Sequence, residues 1–286
     1  MRWQVGRRSD NVEDARGARG IGLGGLSAGG ILVAVVASYF LGIDPLQMLN
    51  VMTQIQGDLP VDSRQAGAPP ADDEGADFVR AILGDTEDTW SALFESRGGV
   101  YEPPRLVLFS GMVGSGCGGA SASSGPFYCP SDHRVYLDLS FFDEMRARLG
   151  GGGDFAQAYV IAHEIGHHVQ TLLGLSRDVD EARRRGLDIR GDEGLLVRQE
   201  LQADCFAGVW ANRAQARLQW LDPGDAEQAL ATATAIGDDR LQRKSQGAVV
   251  PDAFSHGTSR QRVRWFTRGF ESGEMDHCDT FAAAPL

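Results

Sequence analysis

Apolar residues at helical spacing mark several stretches of the chain. Phe78, Val79, Ile82, Leu83, Trp90, Leu93 and Phe94 recur at intervals of three and four, which predicts one or two helices over residues 76–96 with a bend near GDTED. A second helix is predicted from Asp154, a capping candidate behind a run of glycines, to Leu173, where Gly174 ends it. Further helices are predicted over residues 197–217 and 225–236, and after Thr258 to about Phe270. RLVLFS (105–110) and RVYLDL (134–139) have the β-branched and alternating character of strands, and the glycine-rich loop 111–130 separates them. Residues 178–195 alternate charge and glycine and are expected to be an exposed connection, with Arg183, Arg184 and Arg185 on a solvated face. Long helices with few strands predict an α+β fold.

The hydrophobic pattern changes near the start of the chain. Residues 21–43 carry no charge over 23 positions, long enough for a helix to span a hydrocarbon core of roughly 30 Å. Arg2, Arg7, Arg8, Arg16 and Arg19 precede the run, and acidic residues from Asp44 to Glu74 follow it. The positive-inside rule then predicts a cytoplasmic tail at 1–20, a transmembrane helix at 21–43 and an extracytoplasmic remainder, in the periplasm or at the cell exterior. A cleaved signal peptide is the rival reading, but its leader would be long and would carry Asp10, Glu13 and Asp14. Residues 44–75 are rich in proline, glycine and aspartate and read as a flexible linker, so the folded unit is expected at 76–286.

Composition narrows the partners. Asp and Glu number 39 against 27 Lys and Arg, a net charge of −12. Such a chain is repelled by phosphate backbones, which excludes a nucleic-acid binder. The four cysteines contain no CxxC pair. In an oxidising compartment Cys117 with Cys129 and Cys205 with Cys278 are the expected bridges, out of three possible pairings, with a buried free thiol at Cys205 as the alternative.

The chemistry resides in His163-Glu164-Ile165-Gly166-His167, an HExxH motif within the 154–173 helix. Two histidines four residues apart project from one helical face and can hold a single Zn2+ ion, with Glu164 beside them as general base. Gly166 costs a helix about 1 kcal/mol relative to alanine, which points to close packing there. A catalytic zinc needs a third protein ligand and an open position. Glu200 and Asp204, four apart on the next long helix among apolar neighbours, supply it: Glu200 as ligand and Asp204 as acceptor for the far nitrogen of His163. His168 points about 100° away from His167 and is not expected to be a ligand. His133 and His277 are expected at the surface.

These segments, together with DTEDTW (85–90), SGCG, GPFYCP, VYLDLSFF (135–142), RQELQADCFAG (198–208), GDDRLQ (237–242) and SHGTSRQRVRWF (255–266), resemble the bacterial neutral zinc metallopeptidase family, single-pass membrane proteins. HExxH with ExxAD is more distantly similar to the gluzincins, whose fold implies a mainly helical, zincin-like domain with a small sheet. That likeness implies ligands at His163, His167 and Glu200. Some membrane gluzincins carry a histidine followed six residues later by an arginine. His256 and Arg262 have that spacing, with glycine in place of the usual following proline.

The implied mechanism is attack of zinc-activated water on a peptide carbonyl of an exported polypeptide, with Glu164 as base and His256 as oxyanion donor. Arg262 is expected either to hold Glu200 or Asp204 in place or to form an ordinary surface salt bridge. The 135–139 strand is expected at the cleft edge, where an extended substrate could add to it. Two alternatives stand beside this reading: a non-catalytic, membrane-tethered adaptor or chaperone-like module with a structural zinc site, and a zinc hydrolase acting on amides of cell-wall peptides.

Overall fold

Asp73 caps the first long helix, α1 (Glu74–Glu95), its carboxylate accepting from the Ala76 amide at 2.9 Å. The apolar positions of the heptad-like run all turn inward, from Phe78 to Phe94. The computed structural model describes residues 1–17, 61–62, 66–122, 125–149, 153–235, 237, 239 and 249–286. In chain order these form strands β1 (Val12–Asp14) and β2 (Val61–Asp62), helix α1, and strands β3 (Arg105–Leu108), β4 (Met112–Ser115), β5 (Gly118–Ser121), β6 (Phe127–Cys129) and β7 (Arg134–Leu137). Helices α2 (Ser140–Leu149), α3 (Asp154–Leu173), α4 (Arg177–Arg184), α5 (Leu195–Leu218), α6 (Asp225–Ala235) and α7 (Ser259–Ser272) follow. The fold is α+β, as the pattern predicts.

Four strands make the main sheet in the order β1-β3-β7-β6, parallel except for β6, which runs antiparallel to β7 with Tyr128 opposite Val135. A smaller sheet has the order β2-β4-β5. Three of these strands lie in the stretch expected to be a loop, where glycine and serine hide the alternation that a strand normally shows. Helices α1, α3, α5 and α7 share one core with the inner face of the main sheet. Helix α5 crosses α7 so closely that a Cβ on Gly269 would lie 2.0 Å from the Cys205 carbonyl oxygen, and one on Gly208 would lie 2.2 Å from that of Phe266. Only glycine permits that crossing, and it carries α7 side chains in toward α5.

The first 17 residues are not a separate tail. Strand β1 pairs with β3, and Trp3 packs edge-on against Phe78 while donating from Nε1 to Asp154 at the start of α3. Buried Glu87, from the DTEDTW stretch, accepts from Ser9 at 2.6 Å, Asn11 at 2.8 Å and Arg7 at 2.7 Å. The expected boundary at residue 76 therefore falls too late. Residues 1–17 and the β2 strand, inside the expected tail and linker, belong to the same body as α3.

Among the described residues no helix is long and apolar enough to cross a membrane. The apolar run 21–43 lies outside them. The stretch 178–195 is less exposed than expected, because α4 buries Val179 and Ala182 beside Ile189. Both expected disulfides are present, Cys117–Cys129 and Cys205–Cys278.

Candidate metal centre

Helix α3 carries its chemistry on a single stripe. Tyr159, His163, His167 and Gln170 follow at spacings of four, four and three, which places them one above another on one face. That face meets α5 where Gly166 lies against Ala203. A Cβ there would be 3.0 Å from the Ala203 backbone, so the glycine expected to mark close packing does so. The short helix-to-helix distance brings Glu200 to the imidazoles: its Oε2 lies 3.2 Å from His163 Nε2 and its Oε1 lies 3.5 Å from His167 Nε2. One donor atom from each of the three falls within 4.8 Å of the others.

Each imidazole is turned toward that point by its far nitrogen. His163 Nδ1 donates to Asp204 Oδ1 at 2.9 Å, and His167 Nδ1 donates to Gln170 Oε1 at 2.9 Å. Both Nε2 atoms are thereby left facing Glu200. Two neutral imidazoles and a carboxylate are a donor set that suits Zn2+ and leaves a fourth position open. His163, His167 and Glu200 are the residues that would hold it.

Electrostatics agree with a cation site. Burial alone would lower the His163 pKa, but its hydrogen bonds to Asp204 and Glu200 outweigh this and push it up to about 10. The carboxylates therefore call for positive charge at this point, as a proton or as a metal. Burial would raise the Glu200 carboxyl, yet the positive field of His167 and the hydrogen bond from His163 hold it well below the ordinary range. Glu164 is buried and its pKa is raised, chiefly by loss of solvent, with the two histidines opposing.

Asp204 sits at the centre of a buried network. Its carboxylate accepts from Arg262 Nε at 2.9 Å and Nη2 at 2.8 Å, from the Tyr159 hydroxyl at 2.5 Å and from His163. Burial tends to raise its pKa, but Arg262 and His163 hold it at about 2. Arg262 is 3% exposed, so the surface salt bridge considered for it does not occur; it holds Asp204 from α7.

The metal residues floor a cleft of about 600 Å³. Phe127 and Tyr128 of β6 and Phe141 of α2 line it on one side, and Asp180 and Arg183 of α4 line it elsewhere. Arg183 is thus a cleft residue, although still exposed, where the sequence suggested only a solvated face. His256 also lines the cleft and is exposed, with Nδ1 2.9 Å from the Ser255 hydroxyl. The strand expected at the cleft edge is not β7, which lies between β3 and β6. The edge strand is β6, because the chain doubles back before β7 and covers it.

His168 is packed. Its Nε2 donates to the Glu102 carbonyl at 2.7 Å, its Nδ1 accepts from Tyr128 at 3.1 Å, and burial drives its pKa down to about 4. The neutral ring fixes Tyr128 in the cleft wall. His133 and His277 are exposed. Sequence reasoning did not single out Tyr159, Gln170 or Tyr128. For the first two, the helical stripe they share with the histidines was the available signal.

The family described as "Putative neutral zinc metallopeptidase" matches residues 1–281, the folded N-terminal arm included. The chain is 48% identical over 295 residues to "Uncharacterized protein YpfJ" of Escherichia coli K12, covering 98% of this chain and 99% of that protein. It is 41% identical over 263 residues to "Uncharacterized protein Rv2575" of Mycobacterium tuberculosis H37Rv, covering 86% and 85%. No solved structure matches. The family implies Zn2+, and His163, His167 and Glu200 form a group able to bind it. With residues 1–281 of 286 matched, this chain belongs to the family described as "Putative neutral zinc metallopeptidase".

Proposed function

We propose that the protein hydrolyses peptide bonds of exported polypeptides. The observation that carries this reading is the convergence of His163, His167 and Glu200 at the floor of an open cleft, with Glu164 beside them. A zinc ion there supplies Lewis acidity toward a substrate carbonyl and toward water. Glu164 takes the proton from the attacking water on its carboxylate and passes it to the leaving amine as the carbon–nitrogen bond breaks. Burial raises its pKa, which makes the carboxylate a better proton acceptor. His256, on the cleft wall, donates to the oxygen that becomes negative as the carbonyl is attacked. Asp204 and Arg262 hold His163 in its donating orientation. An extended substrate pairs with β6, the strand of the main sheet that borders the cleft, through backbone hydrogen bonds that tolerate many side chains.

A structural zinc site is closed by four protein ligands, whereas among the described residues three converge here. The open cleft favours the enzyme over an adaptor. Two disulfides fit an oxidising compartment, so we place the body outside the cytoplasm, associated with a bilayer through the apolar run 21–43.

The test uses the full-length chain, because the arm is part of the body. Purified protein should bind one equivalent of zinc and cleave casein. Glu164→Gln should retain the zinc and lose activity by a factor of about 10² to 10⁴. Equal cleavage by that variant would refute the mechanism.

A further inference from the structure

His167 is the start of a hydrogen-bonded chain that ends at the Cys205–Cys278 disulfide. Gln170 Oε1 accepts from His167 Nδ1 at 2.9 Å. Gln170 Nε2 donates to the Gln199 carbonyl at 2.7 Å and to Gln202 Oε1 at 3.0 Å. Gln202 Nε2 donates to the Cys278 carbonyl at 2.9 Å. Cys278 is joined to Cys205 of α5, the residue after Asp204.

We infer that Gln170 and Gln202 are positioning residues that transmit the orientation of a disulfide-anchored carbonyl to the second zinc histidine. The inference rests on the zinc reading of His163, His167 and Glu200. Its force is in the direction of the chain. A backbone carbonyl can only accept, so Gln202 must turn its NH₂ toward Cys278 and its oxygen toward Gln170. Gln170 then faces two acceptors, Gln202 Oε1 and the Gln199 carbonyl, and must present its NH₂ to both. Its oxygen is left for His167, which must carry its proton on Nδ1. Reversing either amide would set oxygen against oxygen in a place without water, since Gln170 is 0% exposed and Gln202 is 4% exposed. The acceptor at Cys278 therefore selects, three hydrogen bonds away, the form of His167 whose Nε2 lone pair faces the metal position. Its near neighbour in the chain, Gln199, precedes the third ligand Glu200, so the same amide group also ties α3 to the ligand-bearing turn of α5.

The arrangement complements the one on His163. There a charged pair, Asp204 with Arg262, fixes the imidazole; here two neutral amides do so. A neutral chain orients His167 without adding another negative charge to a site that already holds Glu200, Glu164 and Asp204.

The test reads the ring and the metal separately. In the metal-free, ¹⁵N-labelled protein at alkaline pH, where the ring is neutral, His167 should carry its proton on Nδ1. Gln170→Leu should leave a mixture of the two forms and weaken zinc binding, measured by chelator competition, by a factor of about 10 to 100. Gln202→Leu cuts the chain without touching the disulfide or His167, and should produce the same two changes several-fold smaller. Circular dichroism of each variant shows that it is folded. A wild-type His167 protonated on Nε2 would overturn the inference, as would a folded Gln202→Leu with unchanged ring signals and zinc affinity. Failure of the wild type to bind zinc would strike the enzyme reading, while the ring signals would still decide the relay.

Discussion

Asp204 shows how much the site depends on single buried charges. Its carboxylate is fully enclosed and meets Arg262, Tyr159 and His163. Removing it as Asp204→Ala leaves the Arg262 guanidinium buried without a counter-charge, which should cost about 3–5 kcal/mol of stability. Arg262→Met removes the other half of the pair and should cost less, because Tyr159 and His163 still donate to Asp204. The double variant should be more stable than the sum of the two losses allows, since no lone charge remains; urea unfolding of the four proteins measures this coupling. Strict additivity would mean that the two groups act independently. The sequence revealed part of this network. HExxH is a local spacing with a geometric meaning, and ExxAD, commonplace by itself, gains weight from standing in the same chain as HExxH. Arg262 was legible only as two alternatives, because its burial depends on the glycine-permitted crossing of α5 and α7. Gln170 had only its place on the histidine stripe to mark it, because a neutral amide acquires its role from partners, here up to 32 residues away.

At the scale of elements, long amphipathic helices were readable from their period and the short ones were not. Helix α4 has two buried apolar positions, too few to show a period. Beyond Met112 and the buried Val113, the β4 and β5 strands hold only glycine, serine and alanine, with little alternation to read, and the Cys117–Cys129 bridge ties the turn between them to β6. The N-terminal arm was misread for the same reason. Its strand β1 is three residues long and pairs with residues 106–108, a contact that no local pattern announces. Ion pairs add to the strand pairing and packing that hold the arm, with Arg8 on Asp77 at 2.7 Å and Arg16 on Asp73 and on its own neighbour Asp14 at 2.6 Å. Hydrogen bonds from Arg16 lower the Asp14 pKa, and those from Arg8 lower that of Asp77, both below the model-compound value of 3.8. A carboxylate with a lowered folded-state pKa stabilises above its unfolded value and loses that contribution as pH falls through the folded one. Acidification below about pH 4 should therefore loosen the arm before the helical core, seen as loss of hydrogen-exchange protection at residues 12–14. Arg8→Gln should lessen the acid-dependent part of that loss, and salt should mimic it because these pairs are partly exposed. Protection of β1 that is independent of pH would show that packing of Trp3 and Val12 alone retains the arm.

For the whole molecule, the arm bears on how the protein meets a membrane. Asp14 and Gly67 exchange backbone hydrogen bonds at 2.6 and 3.0 Å, so described residues on either side of the apolar run 21–43 are joined in one body. A single crossing of a bilayer at 21–43 would put those two bonded residues on opposite sides. The charge argument for a cytoplasmic N-terminus weakens too. Arg7 pairs with Glu87 and Asp88, Arg8 with Asp77, Arg16 with Asp14 and Asp73, and Arg2 with Asp222, so these cations are already engaged within the body and are not a free flank for anionic lipid. The arm and the metal centre should therefore share one compartment. Val5 in the arm is 70% exposed and Val100 in the body is 83% exposed, which makes each a position where cysteine can be placed without disturbing packing. In intact cells, after outer-membrane permeabilisation where one exists, a membrane-impermeant maleimide should label Val5→Cys and Val100→Cys to the same extent. Labelling of Val100→Cys alone would separate the arm from the body by a bilayer, and would require β1, Trp3 and the Glu87 contacts to be undone in the membrane-bound protein.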